Sequence, residues 1–143
     1  YHIALKHRNH LGVMTATTIH LIETSQLIDF TTATPVWNKP GVTNTPRKMD
    51  GSYQLLWSGD TRTDKNIKYN GSANDKDPIL YAVGNATPNN ILYPVYRPED
   101  ANMDARVKYN NVGNDKNHIL HQVFIANPST LSPNAVISQH TPD

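Results

Sequence analysis

Asp100, Asn102 and Asp104 alternate along the chain, and the apolar Val107 follows them. Oxygen-bearing side chains at the first, third and fifth positions, ahead of a backbone carbonyl at the seventh, are the opening of a calcium loop. Such a loop works because the hard cation takes roughly six to eight oxygen ligands. On this reading the ligands are Asp100, Asn102, Asp104, the Arg106 carbonyl and a distal carboxylate from Asp115. An upstream stretch offers a second set, Asp60, Asp64, the Asn66 carbonyl and Asp75. Calcium is the cofactor these donors imply, and repulsion among their carboxylates would make the ion part of folding.

Three features depart from the pattern. Arg62 stands at the third position of the first loop and carries only hydrogen-bond donors. Lys65 and Ala105 occupy the sixth position, where a glycine would make the sharp turn easily. The distal acid lies 15 residues after the first ligand in both sets, Asp60 to Asp75 and Asp100 to Asp115, against about 11 in an EF-hand. The alternative is a loop held in the same shape by Asx turns and an Arg62 salt bridge, without metal.

The two sets belong to an internal repeat. Residues 60–84 and 100–124 align without a gap and share 11 of 25 positions, among them Asp60, Lys68, Tyr69, Asn74, Asp75, Ile79 and Leu80. Repeated units of this kind bury an apolar face against their twin. Each consists of a loop, a short Ile67-Lys68-Tyr69 or Val107-Lys108-Tyr109 element, a polar excursion and a short helix. Asp77 and Pro78 suit the cap and first position of the first helix, Asn117 the cap of the second. Ile79, Leu80 and Val83, and Ile119, Leu120 and Val123, form the buried stripes. Helices this short hold only when packed. Ile67 and Val107 should face inward, and Tyr69 and Tyr109 should cover the helix ends.

Upstream, residues 1–6 alternate in the manner of a strand, and a polar turn follows from His7 to Gly12. Residues 13–21 and 26–31 offer two further strands. Residues 34–49 contain Pro35, Pro40, Gly41 and Pro46 and should be irregular. Residues 84–99, with Pro88, Pro94 and Pro98, link the repeats, and Ile91 to Tyr96 supplies a short extended piece. The expected fold is mixed α+β. It divides into a β-rich segment over 1–56, part of a β-sandwich-like domain, a duplicated calcium-loop domain over 57–127, and a flexible tail over 128–143.

Other chemistries find less support. The chain has 143 residues, 17% of them charged, and a formal net charge of +1. It carries no basic run, so a nucleic-acid partner is not expected. It has no cysteine, which excludes disulfides and thiolate metal sites. No apolar run reaches the roughly 20 residues that cross a bilayer, so membrane insertion is not expected. His7 and His10, three apart, are a weak zinc signal and read better as turn hydrogen-bonders. Without a nucleophile–base set the chain reads as non-catalytic. Trp37 and Trp57 could stack on sugar, although separated tryptophans are more often core residues.

The repeats resemble dockerin-type duplicated calcium segments, in which a loop precedes a helix. More closely, Gly59-Asp60, Asp64, Ile67-Lys68-Tyr69, Gly71, Asn74-Asp75 and Asp77-Pro78-Ile79-Leu80 resemble a C-terminal module of large Bacteroidetes secreted and surface proteins, some labelled hemagglutinin-like. His7-Arg8-Asn9-His10-Leu11-Gly12-Val13-Met14-Thr15 is similar to the segment that precedes those repeats. The resemblance spans most of the chain. It implies an extracellular or cell-surface location and no established catalytic activity. The ligand-like alternation beside the recurring apolar positions points to a structural or protein-docking role, and Trp37, Trp57, the tyrosines and the hemagglutinin-like resemblance point to the alternative, adhesion to a surface glycan or protein. The resemblance also implies that the first strands close a β-rich domain begun upstream. The chain opens on Tyr1 without a methionine, as a processed product or fragment would. About three N-terminal strands are few for a sandwich of seven or so. Residues 1–30 are therefore expected to complete a sheet with another segment of the same precursor or with a neighbouring subunit.

Overall fold

The computed structural model describes residues 1–21, 27–32 and 34–142. Among them the fold is small and mixed α+β, with two short helices and four two-stranded antiparallel sheets. The first sheet pairs β1 (Ala4–His7) with β2 (His10–Met14), and the second pairs β3 (Lys48–Asp50) with β4 (Tyr53–Leu55). Then come β5 (Asn66–Lys68), α1 (Lys76–Val83), β6 (Ile91–Leu92), β7 (Val107–Lys108), α2 (Asp115–Ala126) and β8 (Val136–Ser138). β5 pairs with β8, and β7 with β6.

The N-terminal hairpin turns more tightly than its composition suggests. Its turn is Arg8-Asn9 alone, and the rest of the expected polar turn is already strand β2. Gly12 lies inside that strand, where a Cβ would meet Gln139 Oε1, Leu5 O and Lys6 Cγ, each at 3.3 Å. The strand expected over 13–21 stops at Met14, with a single further bridge from Thr15 to Val36. Of the strand expected over 26–31, residue 26 lies outside the described residues, and the remainder is not extended pairing. Asp29 there accepts from the Thr31 N–H at 2.8 Å and the Thr32 hydroxyl at 2.8 Å. These local bonds compete with a ladder.

The proline-rich stretch ends in a regular element after all. β3 and β4 join around Gly51-Ser52, with Gly51 at φ 56°. Gly51 is the first of the two turn residues, where glycine takes the left-handed position freely. At the other end, residues 136–138 lie within the segment expected to be a flexible tail, yet they form β8. Ile137 in that strand is fully buried, and an apolar side chain of that size is worth about 1.5–3 kcal/mol when withdrawn from water.

The core gathers Leu11, Trp57, Ile67, Val107 and Ile137 with the helix stripes Ile79 and Val83, Ile119 and Val123. α1 has eight residues, too few to persist in isolation, so this burial is what holds it. Both helices begin earlier than Asp77 and Asn117 would place them. Asn74 Oδ1 accepts from the Asp77 N–H at 3.1 Å, and Asn114 Oδ1 from the Asn117 N–H at 2.9 Å. The residues expected as caps are thus the donors, and Pro78 falls later in the first turn, where its missing N–H still costs nothing. Tyr69 and Tyr109 pack on the core, with the Lys76 and Lys116 ammonium groups 4.5 Å and 4.2 Å from the ring centroids.

Candidate functional site

The acidic loops are built around four buried carboxylates. Asp60, Asp75, Asp100 and Asp115 are 4%, 1%, 1% and 0% exposed. Burying an anion is costly unless donors meet it, and here the backbone supplies them. Asp60 accepts from the N–H groups of Asp64 and Lys65, both at 3.0 Å. Asp100 accepts from those of Asp104 at 3.0 Å and Ala105 at 3.1 Å. Asp75 closes the first loop by accepting from Arg62 N–H at 3.2 Å and Lys68 N–H at 2.7 Å. Asp115 does the same in the second, from Ala101 and Lys108 N–H groups, each at 2.8 Å. The recurrence of these aspartates forty residues apart therefore has a mechanical cause, since each pair fastens its loop at the entry and at the exit.

The missing glycines do not prevent the turn. Lys65 and Ala105 take the left-handed conformation at φ 68° and 62°, as do Thr63 and Met103 at φ 55° and 60°. Such residues cost roughly 1–2 kcal/mol each outside glycine, and the carboxylate bonds to the same turns offset it.

Of the other side-chain ligands expected, Asp64 and Asp104 lie at the rim, exposed. Arg62 Nε stands 3.8 Å from Asp64 Oδ2, and Lys108 Nζ lies 2.6 Å from Asp104 Oδ2. Asn66 sits in β5, its Oδ1 accepting from the Ser138 hydroxyl at 2.9 Å. Asn102 Oδ1 accepts from Asp104 N–H at 3.1 Å, and the Arg106 guanidinium lies 5.1 Å from the Tyr93 ring centroid. Among the described residues no group of three or more His, Asp or Glu side chains is gathered in a way that could hold a metal ion. The donor chemistry suits a hard cation; the side-chain arrangement is that of a hydrogen-bonded clasp.

Electrostatics distinguishes the two loops. Burial pushes Asp60 up to about 6 and Asp75 up to about 7, against which the N–H bonds act. Burial likewise lifts Asp115 to about 6 and raises Asp100. The second loop has protein cations at hand: Lys108 on Asp104, and Arg8, whose Nη2 is 3.4 Å from Asp100 Oδ2. In the first loop Arg62 forms a longer pair with Asp64, at 3.8 Å, with the two side chains 39% and 35% exposed.

The residue that joins the loops is Asn9, which a reading of local composition places in a featureless turn. It is 1% exposed. Its carbonyl accepts from Gly59 and Asp60 N–H groups at 2.8 and 3.0 Å, at the mouth of the first loop. Its side-chain amide donates to Pro98 O at 3.1 Å and Asp100 O at 2.6 Å, at the mouth of the second.

Next to the second loop a pocket of about 500 Å³ opens between β1, β4 and the start of α2. Here His7 and His10 bond through their Nδ1 atoms at 2.8 Å, a contact in which one ring must donate and the other accept. Ser58 Oγ lies 2.7 Å from His118 Nε2, and Lys48 Nζ donates to Gln122 Oε1 at 3.0 Å. Burial, helped by neighbouring positive groups including Lys48, depresses His10 and His118 to about 4. Ser58 and His118 are a pairing that sequence distance hides. A histidine held so low is a weak general base, and no carboxylate lines the pocket to support it.

Trp57 is 2% exposed and donates from Nε1 to Thr45 O at 2.7 Å, so its ring belongs to the core. Trp37 is 37% exposed, and its backbone N–H donates to Met14 O at 2.8 Å. No protein-family model, no curated protein and no solved structure matches the chain.

Proposed function

We propose that the chain is a non-catalytic structural or protein-docking module of a large extracellular or surface protein, and that calcium stabilises its acidic loops. The observation that carries this reading is the double clasp. Two loops, each fastened by a buried pair of aspartates, are locked to one hairpin through Asn9. Such an arrangement holds adjoining segments at a fixed geometry, which is the task of a scaffold. The extracellular placement, the dockerin-like description and the sandwich-like setting rest on the sequence resemblance.

Support for calcium is chemical. The ligand atoms the loops offer are oxygens, and burial of Asp60, Asp75 and Asp115 raises their pKa values, a desolvation cost that the backbone N–H bonds only partly offset. A bound cation would relieve it. Support for a β partner comes from β1, which among the described residues pairs with β2 alone and whose Ala4, Leu5 and Lys6 are exposed. A strand edge of this kind accepts another strand, supplied by the same precursor or a neighbouring subunit. The glycan-binding alternative is left with Trp37, since Trp57 lies in the core.

Calorimetric melting of the full chain in calcium and then in chelator tests the reading. A cation that binds only the folded state must raise the melting temperature. Equal melting in both leaves a clasp without metal and ends the calcium part. Retention of the melting transition after Asp75→Ala and Asp115→Ala together would end the clasp itself.

A further inference from the structure

The pocket beside the second loop has a lopsided lining. Leu55, Leu56 and Met103 give it an apolar wall, Lys6 and Lys48 give it positive charge, and none of its lining residues is acidic. Lys48 is half-buried, and its ammonium donates to the neutral amide of Gln122 at 3.0 Å. Burial lowers its pKa more than the attraction of Asp50 raises it. A partly buried ammonium with an amide for a partner is a group short of an anion. Beside it stand the Ser58 hydroxyl and the His118 ring, 2.7 Å apart, which can orient a polar head. A volume of about 500 Å³ lies in the usual range of small-ligand sites, about 300–1,000 Å³, and such sites combine apolar walls with a few placed polar groups.

We propose that this pocket binds a small monocarboxylate with an apolar body, its carboxylate on Lys48 and its body against Leu55, Leu56 and Met103. A neutral ligand would add no countercharge to Lys48 beyond the attraction of Asp50, and a cation would meet two lysines. The Ser58–His118 pair serves here as a hydrogen-bonding platform. The site goes beyond the scaffold reading and does not depend on calcium.

The test is isothermal titration calorimetry on the full chain in chelator, with octanoate, 1-octanol and octylamine as probes. Octanoate should bind about tenfold more tightly than octanol, as a charge-assisted contact allows, and octylamine most weakly. Lys48→Met should erase the preference for octanoate over octanol, and Lys48→Arg should keep it. Met103→Asp, a change at an exposed rim position, should weaken octanoate by about tenfold, since it sets a like charge beside the ligand. It also provides a readout if Lys48→Met fails to fold. Equal affinity for octanoate and octanol, absence of binding by both, or unchanged octanoate affinity in Met103→Asp would each overturn the proposal.

Discussion

The side-chain amide of Asn9 donates to the backbone carbonyl of Asp100 at 2.6 Å across 91 positions of sequence. Through this bond the N-terminal hairpin grips the second acidic loop, while the Asn9 carbonyl grips the first. Neither loop is therefore an independent unit. A change at the hairpin turn is transmitted to both.

Asn9→Ala should accordingly destabilise the chain by about 2–3 kcal/mol, because it takes the donor from the buried Asp100 carbonyl and from the half-buried Pro98 carbonyl. Asn70→Ala is the control. Asn70 also bonds a distant residue, Asn134, but in an exposed contact, and its Oδ1 accepts from Lys76 Nζ at 2.9 Å, so its loss should cost about 1 kcal/mol or less. Urea denaturation of both variants measures the difference. Similar values for the two would mean that Asn9 does not bridge the loops energetically.

Calcium should act differently on the two loops. Lys108 Nζ lies 2.6 Å from Asp104 and Arg8 lies 3.4 Å from Asp100, so a metal entering the second loop competes with protein cations. Lys108→Met should therefore raise calcium affinity there, while its backbone bond to Asp115 is kept. Where calcium binds, a free concentration a hundredfold above the dissociation constant should add about 2.7 kcal/mol to unfolding. Calcium-dependent melting of wild type and variant checks the order. A lower calcium response in Lys108→Met would show that the lysine assists the site.

The pH response contains opposing parts. His10 and His118 are depressed to about 4 in the folded chain, from an ordinary 6.5. Their contribution is present above the unfolded value and is lost as pH falls from 6.5 toward 4. Asp60 and Asp115 at about 6 and Asp75 at about 7 are raised instead. The folded chain holds their protons more tightly, so their contribution is present at low pH and lost as pH rises through those values. The two trends partly cancel in the wild type. A comparison with His118→Gln isolates one histidine. The stability difference in favour of wild type should shrink by up to about 3 kcal/mol between about pH 7.5 and pH 4, since one pKa unit is about 1.4 kcal/mol. A difference constant with pH would show that His118 titrates normally.

What the sequence made legible was local and repeated. The stripes of Ile79 and Val83, and of Ile119 and Val123, follow from helical spacing, and Ile67 and Val107 follow from their place in the repeat. Helix starts were displaced because several Asn and Asp residues compete for the cap, and only the fold decides which accepts and which donates. The aspartates were recognised as oxygen donors. Their bonds to backbone N–H groups were not legible, because those depend on left-handed turns at Lys65 and Ala105 that composition argues against. Asn9, Ser58 and His118 were missed for a different reason. Their partners lie tens of residues away, and a single sequence carries no local mark of such contacts.

β8 is the plainest case of a long-range contact overriding composition, and it yields the last prediction. Residues 128–143 are rich in Ser, Thr, Pro and Asn, which favours an unpacked tail. Yet Ile137 pairs with Ile67 in the β5–β8 ladder, and both are fully buried. Asn44 holds the strand from the other side, its Oδ1 accepting from Ser138 N–H at 2.9 Å. Ile137→Ala should cost about 2–5 kcal/mol, the usual range for emptying a packed core position. Val136→Ala, one residue earlier but 38% exposed, should cost less than about 1 kcal/mol, since its side chain points away from the core. Because β5 carries Asn66 and abuts the first loop, the Ile137 variant should also lower the protection of the Ile67 and Lys68 amides in hydrogen exchange. Equal and small effects of the two substitutions would return the segment to the status of a tail.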